Sequence, residues 1–216
     1  ISPYGTLYDA NGDYEVYPMF GELLYRNPLA RLNSPRNDRN QNITANAFFD
    51  LTPDFLPGFK YKLNVGYTLV PTQFQSYLGR KTGDLLGTAM VSNSETRSMT
   101  VENIFNYNKS FGNHSIAATG LYSAQQTDFF SSTTSASGFI NDQLAFNNLS
   151  TASTTSASSQ GYKSNLLSQM LRANYSYASK YLFTATARRD GYSAFGSNSS
   201  KYGLFPSVAL GLNISK

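Results

Sequence analysis

Residues 181–215 read YLFTATARRDGYSAFGSNSSKYGLFPSVALGLNIS, and the fold turns on how this stretch is understood. Tyr181, Phe183, Ala185 and Ala187 alternate with Thr184, Thr186 and Arg188. After a Gly/Ser/Asn-rich break, Val208, Leu210, Leu212 and Ile214 alternate with Ser207, Ala209, Gly211 and Asn213. Successive side chains of a strand point to opposite faces, so this spells two strands, each with one apolar and one polar face. Two environments satisfy such a pattern. A soluble sheet has a core face and a wet face, whereas a membrane barrel has a lipid face and a watery lumen.

The same period recurs upstream. Ile43, Ala45, Ala47, Phe49 and Leu51 oppose Thr44, Asn46, Phe48 and Asp50; Phe59, Tyr61, Leu63, Val65, Tyr67 and Leu69 oppose Lys60, Lys62, Asn64, Gly66 and Thr68. Met99–Asn108 and Ser115–Ala124 alternate less cleanly, with Asn103 among the apolar positions and Leu121 among the polar ones. Leu171, Ala173, Tyr175 and Tyr177 oppose Arg172, Asn174 and Ser176. This gives seven strands of about ten residues, the length a tilted strand needs to cross a bilayer.

Their connections alternate as well. Tight turns are expected at Pro53–Gly58, Ser110–Asn113 and Ala178–Lys180, with long connections over 71–96, 127–165 and 191–203 and another long outer segment over 1–40. Short, long, short, long is the layout of an up-and-down outer-membrane barrel, tight on the periplasmic side and extended outside. The low-complexity run within 127–165 (SSTTSASG, STASTTSASSQG) is expected to be a weakly ordered surface segment. Tyr175, Tyr177 and Tyr181 flank one tight turn and Phe105, Tyr107 and Phe111 another, as an interfacial girdle requires.

Composition narrows the function. Charged residues make up only 14% of the chain while Tyr and Phe number 16 and 15, a β-rich profile unlike a disordered one. A net charge of +4 with no run of Lys or Arg argues against nucleic acid. Zero cysteines remove disulfides and thiolate metal sites. The lone His114 supports neither a catalytic triad nor a histidine metal site. Asp9, Asn11 and Asp13 begin like a calcium loop, but its twelfth position is Phe20, so a polar turn is expected. No carboxylate pair suits glycoside hydrolysis, and no glycine-rich phosphate loop is present. The chain is read as a non-enzyme without cofactor or metal.

The stretch YSYASKYLFTATARRDGYSAFGSNSSKYGLFPSVALGLNIS, preceded by Arg172 and Asn174, resembles the barrel region of SusC-like (RagA-like) TonB-dependent outer-membrane transporters. NPLARLN (27–33), LPGFKYKLNVGY (56–67) and ENIFNYNKSFGNHSIAATGLYS (102–123) are similar to the same family, in the family's order. Two departures stand out: Leu212 occupies a position where the family carries an aromatic residue, and the Ser/Thr-rich run after Gln126 has no counterpart.

The resemblance implies an all-β antiparallel transmembrane barrel fragment, part of one barrel domain over 1–216. About seven strands of an expected 22 would be present, with the plug, the TonB box and the other strands elsewhere in a longer chain. It implies import of a large nutrient, an oligosaccharide or a peptide, across the outer membrane of a Bacteroidota-type Gram-negative cell. The implied partners are a SusD-like surface lipoprotein, TonB and outer-membrane lipid. On this reading Lys60, Lys62, Asn64, Arg172, Asn174, Thr184, Thr186 and Arg188 face the lumen. Tyr61, Leu63, Val65, Leu171, Tyr175, Phe183, Val208, Leu210, Leu212 and Ile214 face lipid. The residues alone also leave open a soluble secreted β-sandwich of adhesin or lectin type, and a passive outer-membrane porin.

Overall fold

The computed structural model of the protein describes residues 5–21, 23–32, 34–79, 82, 86–196 and 200–214. The fully described regular elements are strands apart from a five-residue helix α1 (Pro28–Leu32) and the single-turn 3₁₀ helices Ala145–Asn147 and Leu149–Thr151. They are β1 (Arg36–Asn40), β2 (Ile43–Leu51), β3 (Phe59–Leu78), β4 (Thr88–Phe111), β5 (His114–Phe139), β6 (Ala152–Tyr177), β7 (Tyr181–Tyr192) and β8 (Tyr202–Leu212). All eight lie in one sheet of order β1-β3-β4-β5-β6-β7-β8, with β2 paired to the other stretch of the β3 edge that β1 lines. From β2 onward, neighbours in sequence are neighbours in the sheet, the up-and-down order that tight hairpins produce. The sheet is open, ending at β1 and β2 on one side and at β8 on the other.

Two compact units make up the chain, one of residues 42–69, 96–129 and 162–216, the other of 70–95, 130–161 and the residues before 42. In the first unit the register fixes two dissimilar faces. Tyr175 pairs with Phe183 and Phe183 with Leu210, while Ala173, Ala185 and Val208 form the next row of the same face. Arg172, Thr186 and Ser207, and then Asn174, Thr184 and Ala209, form rows of the opposite face. Across β2 and β3, Ala47 pairs with Val65 and Phe49 with Leu63, alternating with Phe48–Asn64 and Asp50–Lys62. The apolar face is not covered by protein: Leu210 is 82% exposed, Val208 68% and Leu171 64%. A sandwich would bury these side chains against a second sheet. Here the apolar rows do not pack on one another.

The hairpins of this unit turn where the backbone can adopt left-handed angles. Gly58 sits at φ +90°, and its carbonyl accepts the Asn108 amide at 2.9 Å. Gly112 turns β4 into β5 at φ +52°. Ala178 and Ser179 adopt φ +51° and +56° without being glycines, and the Ala178 amide donates to Asn113 at 2.7 Å.

The second unit holds the buried apolar cluster of the described residues. Tyr77 and Phe139, each 2% exposed, meet edge to face at 5.2 Å among Ala89, Ala136 and Ala145. The Tyr77 hydroxyl donates to the Asp142 carboxylate at 2.7 Å, tying β3 to the connection between β5 and β6.

Several expectations need correction. The segments 71–96 and 127–165 are mostly strand: the connections shrink to 79–87 and 140–151, and β4, β5 and β6 reach 24, 26 and 26 residues. The Ser/Thr-rich run is therefore ordered ladder. Thr favours the pleated backbone, but a strand polar on both faces shows no hydropathy alternation and reads as a loop. The outer segment over 1–40 contains α1, β1 and an isolated Tyr8–Tyr14 bridge. The third long connection narrows to 193–201. β8 ends at Leu212, so Ile214 follows the strand rather than lying in it.

Gly58 offers a direct test of the hairpin geometry, because a Cβ there would overlap the Asn108 carbonyl oxygen. In the full-length protein, Gly58→Ala is expected to destabilise the folded barrel by about 1–3 kcal/mol. A lower heat-modification midpoint on a gel would register the change.

Candidate functional site

The polar face of the first unit is a network of short-range hydrogen bonds between strands. The Lys62 ammonium lies 4.0 Å from Asp50 Oδ1 and 4.8 Å over the Phe48 ring. Asn64 Nδ2 donates to Glu102 at 3.4 Å, and Thr119 Oγ1 to Asn106 at 3.0 Å. Further along, Arg172 Nε donates to Thr186 Oγ1 at 3.2 Å and Thr184 Oγ1 to Asn174 Oδ1 at 2.9 Å. Arg188 Nε meets both oxygens of Asp190, at 2.9 and 2.8 Å. Beneath this pair lies Ser168, only 5% exposed, whose hydroxyl is 3.5 Å from Arg188 Nη2. The structure thus joins Lys62, Asn64, Arg172, Asn174, Thr184, Thr186 and Arg188 to polar partners, while Lys60 is simply exposed near the turn before β3.

Arg189 behaves differently from Arg188. It lies on the opposite face, opposite Gln169 and Leu204, and its guanidinium sits 4.0 Å over the Tyr202 ring. The alternation of β7 separates the two guanidinium groups.

On the apolar face, polar atoms are paired with aromatic ones. The Tyr61 hydroxyl donates to Asn103 Oδ1 at 2.7 Å, with the Phe105 ring 5.0 Å away, which explains an asparagine in an apolar row. His114 stacks on Phe111 at 5.3 Å, packs 4.9 Å from Tyr177, and has Nδ1 2.6 Å from the Tyr175 hydroxyl. Tyr181 is 6.4 Å from Tyr177 and lies under the Lys180 ammonium at 5.8 Å. Of the aromatic residues expected around the tight turns, Phe111, Tyr175 and Tyr177 gather around His114 and Tyr181 lies beside Tyr177, while Phe105 packs on Tyr61. Asp9, as expected, caps a polar turn, its Oδ1 accepting the amides of Asn11 and Asp13.

A cavity of about 370 Å³ opens on the polar face among Leu166, Asp190, Tyr192, Phe195, Gly203 and Phe205. Sequence reasoning missed it. Phe205 and Tyr192 lie at polar-face positions, and only the β6–β7–β8 register, which pairs Leu166 with Tyr192 and Asp190 with Gly203, brings the lining together.

Asp190 lies beyond the apolar band of β7, and its titration follows from these contacts. Burial pushes its carboxyl up, but the Ser168 hydroxyl and the Arg188 guanidinium outweigh burial and hold it below the ordinary carboxylate range. A depressed folded value means that the stabilisation is complete above the unfolded value of about 3.9 and fades as pH falls through the folded one. Between about pH 5 and pH 3 the full-length wild type should lose more stability than Asp190→Asn, measured by denaturant midpoints. Equal losses would show that the pair is not coupled to folding.

No family model matches the chain. It is 33% identical over 217 aligned residues to TonB-dependent receptor P3 of Formosa agariphila, covering 97% of this chain and 21% of that protein. TonB-dependent receptor P26 of the same organism is 30% identical, covering 99% of this chain and 22% of that protein. TonB-dependent receptor SusC of Bacteroides thetaiotaomicron is 48% identical over 52 residues, which are 24% of this chain and 5% of that protein. The chain thus spans about a fifth of the length of the first relatives it matches. Among solved structures, the RagAB peptide transporter superposes with a TM-score of 0.79 at 24% identity, over 94% of this chain and 23% of that one. The RagAB peptide importer in its open-open state gives 0.76 at 23% identity, with the same coverage. These two likenesses concern the fold. Over nearly its whole length the chain is thus similar to a stretch of TonB-dependent receptors, and its single meandering sheet has the fold of the matching part of the RagAB structures.

Proposed function

We propose that these residues form part of the barrel wall of an outer-membrane importer that takes up a large nutrient, an oligosaccharide or a peptide, with energy delivered through TonB. A SusD-like surface lipoprotein acts with it, and the whole of 1–216 belongs to one barrel domain. One observation carries the reading: the apolar rows of the first unit are exposed while its polar rows hydrogen-bond among themselves. In water that arrangement leaves large apolar surface uncompensated. In a bilayer it is the stable one, since lipid covers the apolar face and every strand amide must find a partner strand.

Tyr61, Leu63, Val65, Leu171, Tyr175, Phe183, Val208, Leu210 and Leu212 then face lipid, and Lys60, Lys62, Asn64, Arg172, Asn174, Thr184, Thr186 and Arg188 face the lumen. The aromatic group around His114 marks the periplasmic boundary, where amphipathic rings are favoured. The open edges of β2 and β8 pair with further strands of the longer protein, because lipid offers no partner for a bare edge. No group in this wall makes or breaks a covalent bond in the cargo. Its part is to enclose a wet path and to offer it hydrogen-bonding side chains.

Topology tests the proposal. The chain has no cysteine, so cysteines introduced at Asn141 and Ser179 are the only ones its 216 residues contribute. A membrane-impermeant thiol reagent on intact cells should label Asn141→Cys, in the connection after β5, and should reach Ser179→Cys only after the outer membrane is permeabilised. The reverse pattern would end the assignment. Uptake of the cargo should also stop in cells lacking TonB, whereas uptake that persists would point to a passive porin.

A further inference from the structure

The cavity on the polar face combines features that the rest of that face lacks. Its walls are Leu166, Tyr192, Phe195 and Phe205, between 37% and 58% exposed and gathered in one place on a face whose rows carry mostly polar side chains. Among the described residues its charged lining residue is Asp190, whose two oxygens already share the Arg188 Nε hydrogen. The walls are held in place before anything binds. Asn165 and Ser193 exchange two hydrogen bonds, amide to hydroxyl at 2.8 Å and amide to carbonyl at 2.9 Å, fixing the chain just past β7. The Tyr192 amide donates to Lys201 at 2.9 Å, and the Phe195 ring meets Tyr192 edge-on at 5.6 Å. At the floor, a Cβ on Gly203 would come within 2.8 Å of Phe205 Cζ, so the glycine lets the Phe205 ring fold over the strand.

We infer that this cavity is a subsite for an apolar side chain of a peptide cargo, of the Leu or Phe type. The inference rests on the importer reading and narrows its cargo. An anionic group would meet Asp190 and the negative faces of the rings, and a cationic one would find that carboxylate already engaged by Arg188, so a charge brought there is poorly compensated. A pyranose would need several donors and acceptors around its hydroxyls, and among the described residues the side chains of the lining offer the Tyr192 hydroxyl and a carboxylate already engaged. An apolar side chain needs none and gains from every carbon it removes from water. About 370 Å³ is ample for one such side chain and the backbone that carries it.

The test uses the full-length transporter in detergent, with N-acetyl-phenylalaninamide, N-acetyl-serinamide and methyl β-glucopyranoside as probes in saturation-transfer NMR. The phenylalanine amide should bind at least about tenfold more tightly than the serine amide. Phe205→Ala and Phe195→Ala should each erase most of that difference. Phe195 follows β7, outside the strand ladders, so its variant keeps the test valid if Phe205→Ala fails to assemble. Equal binding of the two amides, no binding to wild type because the protein's own chain fills the cavity, or preference for the glucoside would each overturn the inference. Failure of the importer reading is distinguishable, since it would show as absence of the wild type from outer-membrane fractions or as cargo uptake that persists without TonB.

Discussion

The register among β6, β7 and β8 is the constraint on which the rest of the first unit depends. Side chains alternate with a period of two, so a one-residue slip of β7 against β6 would move Thr184, Thr186 and Arg188 into the row of Leu171 and Tyr175. The Arg172–Thr186 and Asn174–Thr184 hydrogen bonds would break at once. The apolar rows give the register its free-energy gap only if something other than water covers them, because Leu210 and Val208 gain almost nothing from folding in solution at their observed exposure. A bilayer supplies both halves of the requirement. It accepts the apolar row, and it makes any unpaired strand amide costly.

What could be read in the sequence was what the two solvents had written into it. β2 runs from Ile43 to Leu51, where the alternation places it, and the tight turns at Gly58, Gly112 and Ala178–Lys180 fall where the polar and glycine positions predict. Legibility failed wherever only one solvent was involved. Thr127–Phe139 and Ala152–Asn165 are strand with Ser and Thr on both faces, so there is no hydropathic difference to detect. β1, with sequence Arg-Asn-Asp-Arg-Asn, is polar throughout for the same reason and was expected to be loop.

The polar-face site was legible in part, and for a related reason. The alternation identified Arg172, Asn174, Thr184, Thr186 and Arg188 as one face, and the register joins them. Phe205, Tyr192 and Leu166 are apolar residues at polar-face positions, which a pattern search counts as noise. Cross-strand pairing turns that noise into a cavity, since Arg188 pairs with Phe205 and Leu166 with Tyr192 across three strands. Deviations from a two-faced pattern are where a wall acquires chemistry of its own, because the pattern alone specifies only how the wall stands.

The second unit solves the register problem by other means. A ladder wet on both faces can shift by two residues without changing the solvation of either face, so alternation cannot hold it. Cross-strand hydroxyl pairs such as Ser92 with Thr133 at 2.9 Å add little discrimination, as neighbouring Ser and Thr could replace them. The buried cluster breaks this degeneracy. Tyr77, Ala89, Ala136 and Phe139 must arrive together for the two rings to meet edge to face and for the Tyr77 hydroxyl to reach Asp142. Gly87, at φ +66°, fits beside the Tyr77 hydroxyl only because it has no Cβ, so the same register also fixes the chain entering β4. A shift of two residues would leave a tyrosine hydroxyl buried without its acceptor, and that penalty does for this unit what lipid would do for the other in the proposed barrel.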